Sequence, residues 1–252
     1  MVVSDSLPDP QPLDLTAAYV ELQNLLLQGA ELTGFLNRVA VLASTVTTPP
    51  SSVGITLRRG SEVSTVGCSG ELASHADELQ YGRGQGPCLH AMASGELVHM
   101  PDLEADDRWN DYRLNAIAQG VRSSLSVPLF ADGGPVGALN IYTSTQHAFT
   151  DADVTTARAF AAQASAALAL TIRHAQHVEL EEQLRNAIVS RAVIDQALGI
   201  IMGQQRCNAA QAFAVLRQAS QERNIKLADI ARELITNVTG EPPQPPRPFT
   251  KR

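Results

Sequence analysis

The stretch LRNAIVSRAVIDQALGIIMGQQRCNAAQAFAVLRQASQERNIK, residues 184–226, decides the fold of the C-terminal third of the chain. It predicts a long first helix, a turn capped by Asn208, a second helix, and another turn at Asn224. Along the first helix, mostly apolar residues recur at alternating steps of four and three. We call this row the seam; its members are Leu180, Leu184, Ala187, Arg191, Ile194, Leu198 and Ile201. This heptad spacing predicts pairing with another helix, such as that of a second copy.

A second apolar stripe on the same helix predicts that it also seats a small bundle. The stripe comprises Ile188, Val193, Ala197 and Ile200, and the matching residues of the next helix are Phe213, Val215 and Leu216. Phe213 is therefore expected in the core. Arg191 is the single charge on the seam, and such an exception either fixes the register of the pair or contacts a ligand.

The residues of this stretch resemble the ANTAR domain over positions 179–239. The resemblance rests on the run SRAVIDQA at 190–197 and on Gly199, Met202, Ala212, Phe213, Leu216, Arg217, Ser220, Lys226, Leu227 and Ala231. It implies a three-helix RNA-binding module of a bacterial transcription antiterminator, acting as a dimer on paired stem-loops of a leader transcript. Many family members carry a lysine before the glycine of the first helix, where this chain has Leu198.

Charge is distributed unevenly along a chain whose net charge is −7. Residues 1–172 hold 8 arginines and 18 acidic residues, a net charge of −10, whereas residues 173–240 hold 8 basic and 7 acidic residues, a net charge of +1. Only the C-terminal third is therefore expected to approach phosphates. The candidate RNA-binding residues are the cations Arg191, Arg206, Arg217, Arg223 and Lys226.

The N-terminal part predicts an α+β domain, because amphipathic helices alternate with short strands. The clearest strands, SSLSVPLF at 123–130 and VGALNIY at 136–142, flank a turn at Asp132 and predict a hairpin. This part resembles a GAF domain through QGPCL at 85–89, Arg108-Trp109, GVRS at 120–123, SVPL at 126–129, GALN at 137–140 and FTD at 149–151. The resemblance implies a sensor with a central antiparallel sheet, flanking helices and a small-molecule pocket.

The predicted organisation is a disordered segment at 1–12, a GAF sensor domain at 13–172, an ANTAR domain with its connecting helix at 173–240, and a disordered proline-rich tail at 241–252. A long coiled-coil-like helix from Asp151 onward links the two domains. Its first part carries a seam of mostly small residues, namely Val154, Ala157, Ala161, Ala164 and Leu168. This seam and the heptad seam that starts at Leu180 fall out of phase around 171–178, which predicts a stutter, bend or break there. That position is a natural place for the sensor's state to change ANTAR geometry.

Cys88 and Trp109 are the candidate residues of a GAF ligand pocket. Cys88 follows a glycine-rich loop and opens a helix, a setting that can lower the pKa of a thiol. With Cys68 as resolving partner, it suggests an alternative function: a redox sensor or an enzyme similar to GAF-type methionine-sulfoxide reductases, with a helical tail that only dimerises. Two small buried residues are the simpler interpretation.

Several function classes lack support in the sequence. No apolar run reaches the length of a membrane span, the N-terminus is not a secretory signal, and three widely spaced cysteines fit a reducing cytoplasm. No grouping of residues predicts catalysis or a metal site, and no cofactor is required. Recognition of duplex DNA is disfavoured because no basic recognition helix follows the turn.

We therefore expect a cytoplasmic, non-enzymatic regulator of transcription. Its GAF domain senses a small molecule or a redox signal, and its dimeric ANTAR domain binds tandem RNA stem-loops so that a terminator does not form downstream. The identity of the signal, the RNA targets and the direction of the response are left open by the sequence.

Overall fold

The computed structural model describes residues 14–28 and 31–244, so the predicted N-terminal segment 1–12 and most of the tail 241–252 lie outside the described residues. The chain divides into two compact units, an N-terminal unit (residues 1–175) and a C-terminal unit (residues 176–252). Each unit has its own apolar core.

The N-terminal unit mixes helices and strands. Its elements are α1 (Leu15–Leu27), α2 (Leu32–Thr45), β1 (Ser52–Arg59), β2 (Glu62–Cys68), α3 (Glu71–Arg83), α4 (Pro87–Ser94), β3 (Val98–Met100), α5 (Asn110–Ala118), β4 (Ser123–Ala131) and β5 (Gly134–Thr143). Then follow α6 (Asp151–Gln205), which crosses the boundary between the units, and α7 (Ala209–Arg223) and α8 (Leu227–Thr239) of the C-terminal unit.

The five strands form one antiparallel sheet in the order β2-β1-β5-β4-β3. The predicted hairpin is present as β4 and β5, joined by Asp132 and Gly133 with φ values of 49° and 84°. Positive φ at both central residues is the type I′ geometry, which matches the right-handed twist of paired strands. The predicted fold class, a central antiparallel sheet with flanking helices, is confirmed.

Helices cover both faces of the sheet. On one face, α1, α2 and the first turns of α6 bury Phe35, Leu36 and Phe160 against apolar strand residues such as Ile55 and Leu139. On the other face, α3, α4 and α5 pack with a second cluster that contains the buried rings of Tyr112 and Tyr142. Candidate sensor residues lie on this second face, and their environment is therefore set by α3 and α4.

In the C-terminal unit, three helices share a small core. Val193, Ala197 and Ile201 recur every four residues on α6 and are buried. They meet Ala212 and Leu216 of α7, and Ile230, Ala231 and Ile235 of α8. Ile201, predicted on the pairing seam, thus belongs to the bundle core, while Ile188 of the predicted bundle stripe is exposed.

Of the stutter, bend or break predicted near residues 171–178, the break is absent, because α6 is one helix from Asp151 to Gln205. Helical hydrogen bonds form within the segment itself, so a change in the buried face does not interrupt them when neither glycine nor proline intervenes. Every residue from 173 to 188 is exposed in the single chain. In the part of the chain that the structure describes, no helix is both long and apolar enough to cross a membrane.

Candidate functional site

The turn between α6 and α7 is built by side-chain capping. Asn208 Oδ1 accepts from the Gln211 backbone N–H at 3.0 Å, and Gln211 Oε1 accepts from the Asn208 N–H at 3.0 Å. This reciprocal capping box satisfies two backbone donors at the start of α7. At the other end of α7, Asn224 adopts the left-handed conformation that ends the helix. Both predicted turns are present, and they fix where the neighbouring cations lie.

Three of the five predicted RNA-binding cations are available for phosphate contacts. Arg206 lies in the α6–α7 turn, Arg217 on α7, and Lys226 at the N-terminus of α8, and all three are exposed. Among the described residues of the C-terminal unit, none of the three forms an ion pair with a carboxylate. Their full charge therefore faces solvent.

The other two predicted cations have acidic partners. Arg223 pairs with Glu233 of α8 at 2.8 Å, which fastens the two helices together. Arg191 is held less closely: its Nε lies 3.9 Å from Asp195 Oδ2, one turn further along α6, and the Arg191 side chain is 86% exposed. Exposed pairs of this kind contribute about 0–1 kcal/mol, so Arg191 can exchange its partner for a phosphate readily.

Phe213 departs from its predicted core position. It is 40% exposed, whereas its neighbours Ala212 and Leu216 are buried in the bundle. Val215 is similarly exposed, at 41%. The physical reason is the narrowness of the buried face of α7: Ala212 and Leu216 already fill the space between α6 and α8, so Phe213 falls beside the contact.

The two predicted pocket residues belong to different clusters of the N-terminal unit. Cys88 is completely buried with Met92 and Ala138. Trp109 is half-buried at the start of α5, where its ring lies 5.6 Å from the His90 ring and 5.1 Å from the Arg108 guanidinium carbon. The structure therefore does not join Cys88 and Trp109 into one cavity wall.

The thiol of Cys88 lacks the lowered pKa that the redox alternative would need. Burial, reinforced by the negative charge of Asp77, raises the pKa of Cys88 to about 12, in the opposite direction to that suggested by the glycine-rich loop. The backbone N–H of Cys88, in the first turn of α4, donates to Gln80 Oε1 at 2.8 Å, and this bond does not involve the sulfur. At neutral pH the thiol stays protonated and is a poor nucleophile. Cys68 is half-buried on β2 and makes its own contact, its N–H donating to Asn37 Oδ1.

A buried polar cluster around Asp77, which the sequence analysis did not single out, lies between α3 and the sheet. The Asp77 carboxylate accepts from Tyr142 Oη at 2.5 Å, Asn140 Nδ2 at 2.9 Å and Thr65 Oγ1 at 3.1 Å. Tyr81 Oη extends the network to Thr65 Oγ1, at 2.7 Å. We call these residues the Asp77 cluster.

The charge of Asp77 is only partly compensated. Complete burial raises its pKa from 3.8 to about 7, although hydrogen bonds from Tyr142, Thr65, Asn140 and Thr56 act to lower it. Desolvation outweighs these donors because no cation approaches the carboxylate among the described residues. A Cβ at Gly54 of β1 would overlap Asp77 Oδ2, so the close packing of α3 on the sheet requires glycine there.

The Asp77 cluster carries a weak sequence signal. Ala73, Ala76, Asp77 and Gln80 recur at helical spacing and are all buried, so the acid lies on the inner face of α3. Its partners Asn140 and Tyr142 are 63 and 65 residues away, on β5. No local pattern could join them.

The two units thus comprise a helix–sheet–helix domain of the type found in sensors and a small helical bundle with exposed cations. The GAF domain family model matches residues 29–169, more than half of the chain, and the ANTAR domain model matches residues 182–235. The chain belongs to the GAF domain family and carries an ANTAR domain. This combination is that of a signal-regulated transcription antitermination regulator.

Among solved structures similar to this chain, one with a TM-score of 0.50 agrees with this fold. The phycoerythrobilin-bound GAF domain from a cyanobacterial phytochrome is 15% identical, with a TM-score of 0.50 over 66% of this chain and 98% of that one. The reduced form of fRMsr of Staphylococcus aureus is 18% identical, with a TM-score of 0.49 over 64% and 99%. Free methionine-R-sulfoxide reductase from Neisseria meningitidis in complex with its substrate is 22% identical, with a TM-score of 0.48 over 65% of this chain and 95% of that one.

At such low identity, likeness extends to the fold and not to ligands or reactions. The comparison with curated proteins found no match.

Proposed function

We propose that the protein is a cytoplasmic, RNA-binding transcription antiterminator that acts as a homodimer and is controlled by its GAF domain. The observation that carries this proposal is a set of exposed cations on an ANTAR domain of net charge near zero, Arg206, Arg217 and Lys226, which have no acidic partner among the described residues. The rest of the chain is strongly acidic, so these cations are the part of the molecule suited to phosphates. By occupying two adjacent stem-loops, the dimer prevents formation of a downstream terminator.

The dimer is supported by the exposed stripe on α6. Leu180, Leu184 and Ile188 recur every four residues and are 51%, 56% and 64% exposed. In the single chain nothing among the described residues packs on them, because the whole stretch from 173 to 188 is open to solvent. Pairing two copies along this stripe buries it and brings two sets of cations to one RNA.

The predicted contacts with RNA are few, and their number sets the salt dependence. Counting Arg206, Arg217 and Lys226 in each copy gives about six phosphate contacts for a dimer, for which the logarithm of affinity falls by about four to five for each tenfold rise in salt concentration. Raising salt from about 50 to 200 mM should then weaken binding on the order of a few hundredfold.

The alternative of a GAF-based redox sensor or sulfoxide reductase gains no support from the site. Such chemistry needs an accessible thiolate, and Cys88 is buried with a raised pKa. We therefore propose a regulator and not an enzyme. The signal sensed by the GAF domain is then a small molecule, or a redox change that does not act through a reactive Cys88.

Charge reversal tests the RNA interface. Arg217→Glu should weaken binding of the full chain to a two-stem-loop RNA by about 10- to 100-fold, because each copy loses a charge-assisted contact. Arg58→Glu is the matched control, since Arg58 is an exposed arginine at the end of β1 in the N-terminal unit. Equal affinities of the two variants for the RNA would contradict the proposed interface.

A further inference from the structure

Asp77 places a carboxyl group inside the N-terminal unit among hydroxyl and amide donors. The side chain is completely buried between α3 and the sheet, and its two oxygens accept hydrogen bonds from three different residues. Among the described residues, no cationic side chain pairs with it. Ionising a carboxyl group in such a dry site costs free energy that neutral donors return only in part. The packed arrangement therefore suits the protonated carboxyl better than the ion.

The other titratable groups that face Asp77 do not supply a compensating charge. They come from four elements: Tyr81 of α3, Cys88 of α4, Tyr112 of α5 and Tyr142 of β5. Burial raises the pKa of each of these groups, so all four are neutral near pH 7. Strands β1 and β2 contribute Gly54 and the uncharged hydroxyl groups of Thr56 and Thr65. Asp77 is thus the group of this cluster whose charge changes near neutral pH.

A chain of hydroxyl groups leads away from the carboxyl. Asp77 Oδ2 lies 3.1 Å from Thr65 Oγ1, which lies 2.7 Å from Tyr81 Oη. Tyr81 Oη in turn lies 2.7 Å from Thr56 Oγ1. In the two contacts of Tyr81 either oxygen can be the donor. The chain can therefore donate toward the ionised carboxylate or accept from the protonated carboxyl, because a hydroxyl group both donates and accepts.

The middle of this chain reaches the surface. Thr65 and Tyr81 are half-buried, and both line a surface cavity of about 410 Å³ where β2 meets α3. A proton that leaves Asp77 Oδ2 passes to Thr65 Oγ1, the Thr65 proton passes to Tyr81 Oη, and the Tyr81 proton passes to solvent in the cavity. Each hydroxyl group gives one proton and takes one, so the charge stays on Asp77. Proton exchange with solvent therefore does not require unfolding.

The ionised carboxylate cannot be hydrated while α3 is in place. Asp77 Oδ2 approaches the backbone of Gly54 on β1 so closely that a Cβ there would overlap it, and a water molecule has no space on that side. The same face of the sheet holds further buried polar atoms that have no hydrogen-bond partner among the described residues: Ser124 Oγ, Ser126 Oγ and Asn140 Oδ1. Moving α3 away from the sheet hydrates the carboxylate and opens a polar surface to water.

We propose that the GAF domain is a proton-operated switch, in which α3 packs on the sheet while the Asp77 carboxyl is protonated and is released when that carboxyl ionises. The inference goes beyond the proposed function, because it adds the proton as an input besides a small molecule or a redox change. Burial raises the pKa of Asp77 to about 7, which places the switch near neutral pH. Because this pKa lies above that of a hydrated aspartate, packing of α3 is strongest below about pH 4 and weakens as pH rises toward 7.

Hydrogen–deuterium exchange of the full-length protein measures the packing of α3 directly. Rates are resolved by peptide and divided by the intrinsic exchange rate at each pH. From pH 5 to pH 8, protection of the α3 amides in the wild type should fall about 10- to 100-fold. Helix α2, which packs on the opposite face of the sheet, should change little. In Asp77→Asn the protection of α3 should not follow pH, whereas the control Asp107→Asn should behave as the wild type.

Thr65→Val identifies the titrating group by a second route. The hydrogen bond from Thr65 lowers the pKa of Asp77, so its loss should move the pH range in which α3 loses protection upward. Equal pH dependence of α3 protection in the wild type and Asp77→Asn overturns the proposal, and so does an equal loss in α2 and α3. An unchanged pH range in Thr65→Val also overturns it, and this comparison decides even where Asp77→Asn does not fold. The measurement uses no RNA, so its result is independent of the proposed antitermination function.

Discussion

The buried carboxylate of Asp77 makes the stability of the N-terminal unit depend on pH. Its pKa is raised from 3.8 to about 7 in the folded protein, chiefly by burial. The folded state therefore holds the proton more tightly than the unfolded state, so stability is highest below about pH 4 and falls as pH rises toward 7. This direction is opposite to that of an ordinary salt-bridged aspartate.

The size of the effect follows from the shift. A difference of about three pKa units corresponds to about 4 kcal/mol between the two limits, of which somewhat more than half falls between pH 5 and pH 8. Asp77→Asn removes the ionisation and keeps a neutral side chain of the same shape. Its amide oxygen keeps an acceptor for the hydrogen bonds from Asn140 Nδ2 and Tyr142 Oη. The variant should therefore be more stable than the wild type at pH 8. Its free energy of unfolding should also lack the pH dependence that the Asp77 carboxylate causes in the wild type.

Urea unfolding at pH 5 and pH 8 measures this difference. Trp109, the only tryptophan, lies in the N-terminal unit and reports the unfolding of that unit by fluorescence. Other groups also titrate in this range, so the quantity compared is the change in unfolding free energy from pH 5 to pH 8 in each protein. Asp107→Asn, at an exposed loop position, is the control and should behave as wild type. An equal pH dependence in the wild type and in Asp77→Asn would refute the account of a buried, uncompensated carboxylate.

Three further results are expected. Gly54→Ala should destabilise the N-terminal unit by about 1–3 kcal/mol, because its methyl group overlaps the buried carboxylate of Asp77; an unchanged urea midpoint would show that α3 moves aside without cost. Leu184→Lys should weaken dimerisation about tenfold or more in sedimentation equilibrium, since a charge replaces an apolar seam residue, and an unaltered dissociation constant would exclude this stripe from the interface. Cys88 should react with iodoacetamide at pH 8 far more slowly than the half-buried Cys207, and modification at equal rates would contradict its burial and raised pKa.

The sequence predicted the elements that are determined by residues close to one another in the chain. The capped start of α7 at Asn208 is an example, because both halves of the capping box are three residues apart. The β4–β5 hairpin is another, since the turn at Asp132 and Gly133 lies directly between two strong strands. The sequence left the continuity of α6 open, because a shift in its apolar seam changes what the helix packs against, and not whether it is helical.

The misplaced and missed residues depend on three-dimensional packing. Phe213 was assigned to the core because it is apolar and adjacent to Ala212, yet 100° of rotation separates adjacent residues on a helix, and Leu216 fills the contact. The thiol of Cys88 was judged from its glycine-rich loop, whereas its pKa is set by burial and by Asp77. Asp77 was not singled out at all, because its donors lie on strands distant in sequence.

The central claim is that two copies of the ANTAR domain bind one RNA through tandem stem-loops. The most direct measurement is a titration of the full-length protein against a two-stem-loop RNA, a single-stem-loop RNA and a duplex DNA of equal length, with the mass of each complex determined in parallel. We expect two protein chains on one tandem RNA, with affinity well above that for the single loop or the DNA, and a steep loss of binding between about 50 and 200 mM salt. Equal affinity for all three nucleic acids, or one chain per tandem RNA, would contradict the account.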